Sequence, residues 1–283
     1  MSIDSTWLRC PNCFSALDEI ADRIHGCENG HRFDRSKYGY LTLLPPRAPR
    51  TVGDDRAMLT ARAAVLDGGT YAPIAAELVS AVTEDRAANE LPQRLRVADL
   101  GCGTGYYSAR VCDEIRGVDL LLADRSPDAV RMALRAAPAA TGVVLDIWRA
   151  LPIRDASVDV ILDVFAPRNA PEFARILRRG GRVIVVVPTA RHLRELRANG
   201  LLLDIPPEKD AAVSEQLTSA GFDLAARRRV EYRVEVDAGL RALLAGMGPS
   251  AHHVAALASA DGDAAVRSVT VSVDVLVFEL IDS

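Results

Sequence analysis

The chain has 283 residues, of which 49% are hydrophobic and 25% are charged, a balance that is ordinary for a globular protein. This length accommodates a full α/β domain with a small appendage. The formal net charge of -4 argues against a uniformly basic nucleic-acid-binding surface but leaves room for a local basic patch. No apolar run approaches the roughly 18 residues that span a bilayer, and the N-terminus lacks a signal-peptide core. We therefore expect no membrane partner and a cytoplasmic location.

Three of the five cysteines fall within the first 27 residues, which in an intracellular chain favours a metal site over disulfides. Cys10 and Cys13 form a C-x2-C knuckle, while Cys27 and His31 form a C-x3-H knuckle. These four ligands can close a tetrahedron around Zn2+ and leave no open position for a substrate. His25 competes as a ligand but lies outside the knuckle spacing. We predict a structural zinc site on which the small module depends for stability.

The segment that follows interleaves cationic and aromatic side chains. Between positions 31 and 56, six basic residues outnumber three acidic ones, whereas the whole protein is acidic. Such a mixture suits phosphate contacts and base stacking on RNA. A solvated loop with its aromatics packed against the zinc knuckles explains the pattern equally well. The residues concerned are Arg32, Phe33, Arg35, Lys37, Tyr38, Tyr40, Arg47 and Arg50.

Prolines at positions 45, 46 and 49 mark a linker. Residues 54 to 69 then place apolar side chains at helical spacing and end at Gly68-Gly69. A second helix is expected from Pro73 to about Glu84. We expect both helices to pack over the ligand-binding end of a sheet.

The stretch 97 to 105, VADLGCGTG, is typical of a short buried strand that leads into a glycine-rich turn. Gly101, Gly103 and Gly105 allow the backbone to adopt positive φ and to approach a ligand that a Cβ would obstruct. The residues after them open a helix whose N-terminal amides point back at the turn. This arrangement predicts a loop that binds a nucleotide cofactor.

The acidic residues near the turn indicate which nucleotide is bound. A dinucleotide fingerprint has the spacing G-x-G-x-x-G, whereas this chain has D-x-G-x-G-x-G with Asp99 ahead of the turn. A second strand, 118 to 123, ends at Asp124, whose carboxylate can hydrogen-bond ribose hydroxyls. With LDIW at 145 to 148, this order resembles class I S-adenosylmethionine methyltransferases. The resemblance implies an α/β Rossmann-like sheet and S-adenosylmethionine as cofactor.

The remaining strands fit that fold. An apolar strand at 157 to 165 ends at Ala166-Pro167, on the edge where substrates bind. A helix at 172 to 177, terminated by Gly180-Gly181, precedes a central strand, RVIVVVP. The segments 230 to 236 and 269 to 280 alternate like strands, and we expect them to form a final antiparallel pair.

Several motifs occur in a fixed order: CPNC, CENGHRFD, YGYLTLLPP, ARAAVLDGGTYAP, DLGCGTGYYSARV, VFAPRNAPEFARILRRGGRVIVVVP and ARHLREL. Together they resemble the 23S rRNA (guanine-N1-)-methyltransferases, including the branch that confers resistance to macrolides of the tylosin type. The resemblance covers most of residues 8 to 200 and continues weakly through 246 to 253. With the linker, it implies a zinc-binding RNA-recognition module at 1–45, a linker at 46–56 and a class I methyltransferase domain at 57–283.

The resemblance also implies roles for individual residues. Cys10, Cys13, Cys27 and His31 match the family's zinc ligands. Asp124 and Asp146 match the positions for the ribose hydroxyls and the adenine amine. The complete set expected to bind the cofactor is Tyr71, Asp99, Gly101, Gly103, Thr104, Gly105, Asp124, Asp146 and His192. Two alternatives stay open, since His192 also fits a polar residue at a helix start and Tyr71 also fits core packing.

Methyl transfer to guanine N1 requires the N1 proton to leave. Asp163, near the end of the 157 to 165 strand, is the candidate acceptor, although strand alternation could point it away from the cleft. Phe165 could stack on an extruded guanine or belong to the core, while Pro167 and Arg168 would shape the pocket and contact phosphate. These four residues are the predicted catalytic set.

The sequence therefore predicts methylation of a guanine N1 in a hairpin loop of 23S rRNA, an accessible single-stranded target. The resemblance further implies a homodimer. The alternatives are a small-molecule methyltransferase, which the negative charge favours but which leaves the zinc module without a purpose, and a non-catalytic regulatory protein that binds the cofactor.

Overall fold

The computed structural model describes residues 3–44, 54–84, 94–205, 209–248 and 266–281. Most of the linker predicted at 46–56, with Arg47 and Arg50, lies outside the described residues, as do positions 249–253. Within the described ranges, no helix is both long enough and apolar enough to cross a membrane.

The secondary structure begins with a short 3-10 turn, Ser5–Trp7, and continues with strands and α-helices. The strands are β1 Asp18–Ala21, β2 Ile24–Gly26, β3 Arg32–Asp34, β4 Tyr40–Thr42, β5 Leu95–Leu100, β6 Val118–Asp124, β7 Thr141–Val144, β8 Val158–Val164, β9 Leu177–Pro188, β10 Phe222–Glu235 and β11 Ser268–Leu280. The helices are α1 Arg56–Asp67, α2 Ala72–Thr83, α3 Tyr106–Glu114, α4 Pro127–Ala136, α5 Ala170–Ile176, α6 Arg194–Ala198, α7 Lys209–Thr218 and α8 Ala238–Gly246.

The main sheet has the strand order β10-β11-β9-β8-β5-β6-β7-β4. Neighbours from β9 to β4 pair in parallel, whereas β11 runs antiparallel to both β9 and β10. Strand β6 lies on one side of β5 and β8 lies on the other, so the strand order reverses at β5. A crevice forms at the carboxyl ends of the strands at such a point. The predicted α/β sheet and its final antiparallel pair are confirmed.

Alternate residues of the central strands pack into two separate hydrophobic cores, one on each face of the sheet. In β5, Val97 packs with the helices α1 to α4, whereas Ala98 and Leu100 pack on the opposite face. That opposite face is covered by α5 and α7 and by the N-terminal residues, among them Trp7 and Leu17. Because both faces are buried, these strands consist mainly of apolar residues.

The N-terminal region contributes a strand to the main sheet and packs against it. Strands β1, β2 and β3 form a small antiparallel sheet of their own. Strand β4, however, pairs in parallel with β7 and becomes the edge of the main sheet. Leu8 forms a bridge with Ile153, and its carbonyl accepts a hydrogen bond from Arg154 Nε at 2.8 Å. The predicted boundary at residue 45 stays a prediction, but the sheet begins before it.

One local expectation was wrong. The helix α5 ends at Ile176, and the two glycines at 180 and 181 lie within β9 instead of terminating the helix. Val158 pairs with Leu177 while Val160 pairs with Arg182, so the residues between them bulge from the strand. Gly180 has a φ of 67°, which suits a bulge of this kind.

Gly105 brings α3 directly against α4. Its φ is 78°, and a Cβ at this position would lie 2.6 Å from Ala133 Cα and 2.7 Å from Ala133 Cβ. Gly200 has a similar φ of 72°, but no atom lies within 4 Å of the position that a Cβ would take there. The two glycines therefore share a backbone conformation and differ in packing.

We predict that Gly105→Ala lowers the free energy of unfolding by about 3 kcal/mol, because left-handed strain adds to overpacking. Gly200→Ala is the matched control and should cost only about 1 kcal/mol, from the strain alone. Urea unfolding of both variants measures the difference. Equal losses in the free energy of unfolding would show that the close contact of Gly105 with α4 does not contribute to the cost of the substitution.

Candidate functional site

A cavity of about 490 Å³ opens at the carboxyl ends of β5, β6 and β8. This volume lies within the range of small-molecule sites. All but one of the residues predicted to bind the cofactor line this cavity: Tyr71, Asp99, Gly101, Gly103, Thr104, Asp124, Asp146 and His192. Gly105, the exception, packs against α4. The structure thus brings together residues that are up to 121 positions apart in the chain.

The glycine turn after β5 adopts the conformation that the sequence predicts. Gly101 and Gly103 have φ values of 97° and 51°. A Cβ at Gly101 would lie 2.5 Å from the Cβ of Ala166, in the loop that follows β8. The backbone N–H groups of Gly101 and Cys102 both donate to the carbonyl of Ala123, at 2.8 and 3.0 Å. The turn is therefore held tightly against two neighbouring strands.

Two carboxyl groups lie beside this turn, that of Asp99 buried and that of Asp124 half-buried. Asp124 accepts hydrogen bonds from the backbone N–H of Gly103 at 3.0 Å and of Ser126 at 2.8 Å. Burial raises the pKa of Asp124. Burial also raises the pKa of Asp99 to about 7, with the charge of Asp124 adding to the effect and a hydrogen bond with Ser108 opposing it. Carboxylates in this position favour a ligand that offers hydroxyls or positive charge.

Asp146 organises the turn that follows β7. Its carboxylate forms an ion pair with Arg125, and its Oδ1 accepts the backbone N–H of Trp148 at 3.2 Å. The amide of Asn169 donates to the carbonyls of Ile147 and Arg149, at 2.8 and 3.1 Å. This turn thus has a fixed geometry at the edge of the cavity.

His192 and Tyr71 form a buried hydrogen-bonded pair in the cavity wall. The backbone N–H of Ser272 donates to His192 Nδ1 at 3.2 Å, so the neutral ring carries its proton on Nε2. That Nε2 lies 3.2 Å from the hydroxyl of Tyr71, which accepts the hydrogen bond. Burial, with the nearby charge of Arg197, lowers the pKa of His192 to about 3, and burial raises the pKa of Tyr71. The Tyr71 hydroxyl keeps its own proton to donate into the cavity.

Phe165 continues the aromatic wall. Its ring centroid lies 6.3 Å from that of Tyr71 and 6.0 Å from that of His192. The side chain is 41% exposed, and its backbone φ of 55° is rare for a bulky residue. A strained backbone that presents an exposed aromatic ring to a cavity is typical of a functional position.

The four residues of the predicted catalytic set separate into two pairs. Phe165 and Pro167 line the cavity, whereas Asp163 and Arg168 do not. Asp163 is fully buried and pairs with Arg168 Nη1 at 2.9 Å. The same Nη1 donates to the carbonyl of Ala166 at 3.1 Å. The ion pair thus lies behind the cavity wall and supports the loop that carries Phe165.

The zinc ligands predicted from the sequence converge at one point. The four ligand atoms of Cys10, Cys13, Cys27 and His31 lie within 4.8 Å of one another. His31 Nδ1 lies 3.5 Å from Cys10 Sγ and 3.4 Å from Cys27 Sγ, and the sulfurs of Cys13 and Cys27 are 3.6 Å apart. Tetrahedral zinc with ordinary bond lengths requires separations of about 3.5 to 3.8 Å. The donor set therefore fits zinc, and His25 is not part of it.

Sequence reasoning missed several residues of the site. Arg62 pairs with Asp54 and donates to the carbonyl of Met247 at 2.8 Å, which ties α1 to the end of α8 at the cavity. Arg125 pairs with Asp146, and the Ser272 backbone fixes the His192 ring. None of these partnerships leaves a local pattern, because the partners come from different elements. Trp148, by contrast, lines the cavity and directly follows Ile147 and the predicted cofactor-binding residue Asp146, so its position in the sequence could have identified it.

Two family models match the chain. The RlmA N-terminal zinc-ribbon family matches residues 8–50, and a methyltransferase-domain family matches residues 97–185. A solved protein from Bacillus halodurans covers 71% of this chain and 97% of its own length, with a TM-score of 0.51 and 15% identity. At this identity the likeness shows the fold alone.

Two curated relatives are similar over most of their length. The Streptomyces fradiae protein named 23S rRNA (guanine(748)-N(1))-methyltransferase is 42% identical over 247 residues, which are 87% of this chain and 86% of that protein. A Micromonospora griseorubida protein, named with a provisional assignment to the same guanine-N1 activity, is 41% identical over 263 residues, 87% of each chain.

We predict that the purified protein holds about one zinc ion per chain. Cys27→Ser should lose most of this metal, because it removes one of four donors from a tetrahedral site. Cys112→Ser is the matched control, since Cys112 lies in α3 and outside the cluster. Metal content after dialysis measures both variants. Full retention of zinc by Cys27→Ser would contradict the assigned site.

We also predict that His192 makes stability depend on pH. Its folded pKa of about 3 lies below the unfolded value of 6.5, so the unfolded chain binds a proton first as the pH falls. The stability present above pH 6.5 is therefore lost on acidification, by about 2 kcal/mol at pH 5. His192→Gln should begin less stable at pH 7 and lose less between pH 6.5 and 5. The free energy of unfolding of both proteins is measured by urea unfolding at several pH values. An equal loss of this free energy between pH 6.5 and 5 in the two proteins would contradict the prediction.

Proposed function

Since the chain belongs to the family of 23S rRNA (guanine-N1-)-methyltransferases, we propose that it transfers a methyl group from S-adenosylmethionine to N1 of a guanine in a hairpin loop of 23S rRNA. The observation that carries this proposal is the extent of the similarity, which runs through both the zinc ribbon and the methyltransferase domain. The Streptomyces fradiae relative is named for guanine 748, so that nucleotide is the first candidate. A role in macrolide resistance is part of the same proposal, as is action in the cytoplasm.

S-adenosylmethionine supplies a methyl group already activated on its sulfonium. The protein's contribution is to hold the two reactants in line. We propose that Asp124 binds the ribose hydroxyls, Asp146 the adenine amine, and the glycine turn the remainder of the nucleoside. Tyr71, whose hydroxyl proton is left available by the hydrogen bond from His192, would donate to an anionic group of the cofactor.

Phe165 is proposed to stack on the target guanine after it leaves the RNA loop. Three features support this role: the ring is exposed, it lines the cavity, and the Asp163–Arg168 ion pair supports its loop. The N1 proton must leave as the N–C bond forms. The assignment of Asp163 as the acceptor stays a prediction, although its carboxylate lies behind the cavity wall and pairs with Arg168. An Asp163→Asn variant with full turnover and intact cofactor binding would remove it.

The basic and aromatic segment after the zinc knuckles supports contact with RNA. Phe33 packs against the core, as the structural alternative supposes. Tyr38, in contrast, is 39% exposed, with Arg131 4.3 Å and Lys37 5.1 Å from its ring centroid. We propose that this cluster, together with the zinc ribbon, binds the phosphates and bases of the hairpin.

We further propose that the protein acts as a homodimer whose two zinc ribbons frame the RNA. The division into a module at 1–45, a linker at 46–56 and a domain at 57–283 belongs to the same proposal. A monomeric mass in solution at assay concentration would contradict the dimer.

Methyl transfer from labelled S-adenosylmethionine to deproteinised 23S RNA that lacks the modification tests the function. We expect label in the RNA and N1-methylguanosine among the nucleosides, identified by mass and chromatography. Absence of label in RNA, with zinc loaded and cofactor bound, would overturn the proposal and favour a small-molecule acceptor or a non-catalytic role.

We predict that Phe165→Leu lowers kcat/KM for the RNA by roughly tenfold to a hundredfold, because one stacking surface is worth about 1–3 kcal/mol. Phe165→Tyr keeps the ring and should retain most of the activity. Steady-state kinetics with the RNA as variable substrate measure both. Equal rates for Phe165→Leu and the unsubstituted protein would contradict the stacking role.

A further inference from the structure

Trp148 lies at the mouth of the cavity with its side chain in solvent. It is 66% exposed, whereas the other tryptophan, Trp7, is 1% exposed and lies 4.4 Å beneath the guanidinium of Arg96. A single exposed apolar residue is ordinary on a protein surface and indicates nothing by itself. The geometry around Trp148 provides the further observations.

The backbone that carries Trp148 is held in place from both sides. Its N–H donates to Asp146 Oδ1 at 3.2 Å, and the N–H of Arg149 donates to the Asp146 carbonyl at 3.1 Å. The amide of Asn169 bonds the carbonyls on either side of Trp148, those of Ile147 and Arg149. An exposed ring on a fixed backbone loses little conformational freedom when a ligand stacks on it.

The surroundings match a nucleic acid rather than an apolar partner. Trp148 and Phe165 line the same cavity, so a strand that delivers a base to Phe165 passes the indole. Arg149 follows Trp148 directly and is exposed. Arg125, which pairs with Asp146, also lines the cavity. Aromatic rings beside cations are the combination that binds single-stranded RNA.

We propose that the indole of Trp148 stacks on a nucleobase of the RNA next to the guanine that enters the cavity. This inference rests on the proposed function and adds a residue that positions the substrate. Extruding one base leaves its neighbours partly unstacked, and a rigid aromatic surface compensates for the lost stacking. Trp148 would thereby favour RNA loops whose flanking base reaches it.

Intrinsic fluorescence tests the proposal without any substitution, because the chain has two tryptophans and only Trp148 is open to a soluble quencher. The probe is a transcript of the 23S RNA hairpin that the unsubstituted protein methylates. We expect the transcript, without cofactor, to at least halve quenching by acrylamide. S-adenosylhomocysteine alone should leave quenching unchanged.

Variants provide the second measurement. Trp148→Ala should raise the Kd for the transcript roughly tenfold to a hundredfold, in line with the loss of one stacked base. Trp148→Phe should recover most of the affinity. Both should bind S-adenosylhomocysteine within about twofold of the unsubstituted protein. Leu224→Ala, at an exposed apolar residue of β10 outside the cavity lining, is the control and should change neither constant.

The outcomes separate this inference from the proposed function. If the unsubstituted protein methylates RNA while Trp148→Ala binds the transcript equally well, the inference is wrong and the function stands. If S-adenosylhomocysteine alone protects Trp148 and Trp148→Ala loses affinity for it, the indole covers the adenine and the inference is wrong. If the unsubstituted protein methylates no RNA, both fail together.

Discussion

The site depends on a backbone constraint at the turn after β5, where two positions have no space for a side chain. A Cβ at Gly101 would meet Ala166, and a Cβ at Gly105 would meet Ala133. Without these atoms, the turn closes against the loop after β8 on one side and against α4 on the other. This closure also brings the N–H of Gly103 to the carboxylate of Asp124. The cavity is the space that remains beside the turn.

The zinc ribbon and the sheet form one folded unit within the described residues. Strand β4, which follows the zinc ligands by nine residues or more, is an edge of the main sheet, and Trp7 and Leu17 belong to its core. Because metal binding fixes the knuckles, zinc also fixes one covering layer of the methyltransferase sheet. The zinc ribbon is thereby held in a set position relative to the cavity.

Buried polar groups give the cavity its chemical character. His192 is neutral because burial and Arg197 disfavour its charge, and its ring is oriented by a backbone N–H from β11. Asp99 and Asp124 hold carboxyl groups with raised pKa values close to the glycine turn. In a low-dielectric setting such groups interact strongly with a charged cofactor. The rim of the cavity is aromatic instead of acidic, since Phe165 and Trp148 present exposed rings suited to nucleobases there.

The sequence by itself determined the fold class, the zinc ligands, and the glycines and carboxylates at the end of the central strands. These are encoded locally: in cysteine spacing, in glycines that permit positive φ, and in apolar strands that end in acidic residues. Only the tertiary structure decided that Phe165 faces the cavity while Asp163 turns away, and that Asp146 and His192 are held by Arg125 and by the backbone of Ser272. Side-chain direction at a strand end and pairing between distant elements depend on how the sheet is assembled, and no local pattern records that assembly.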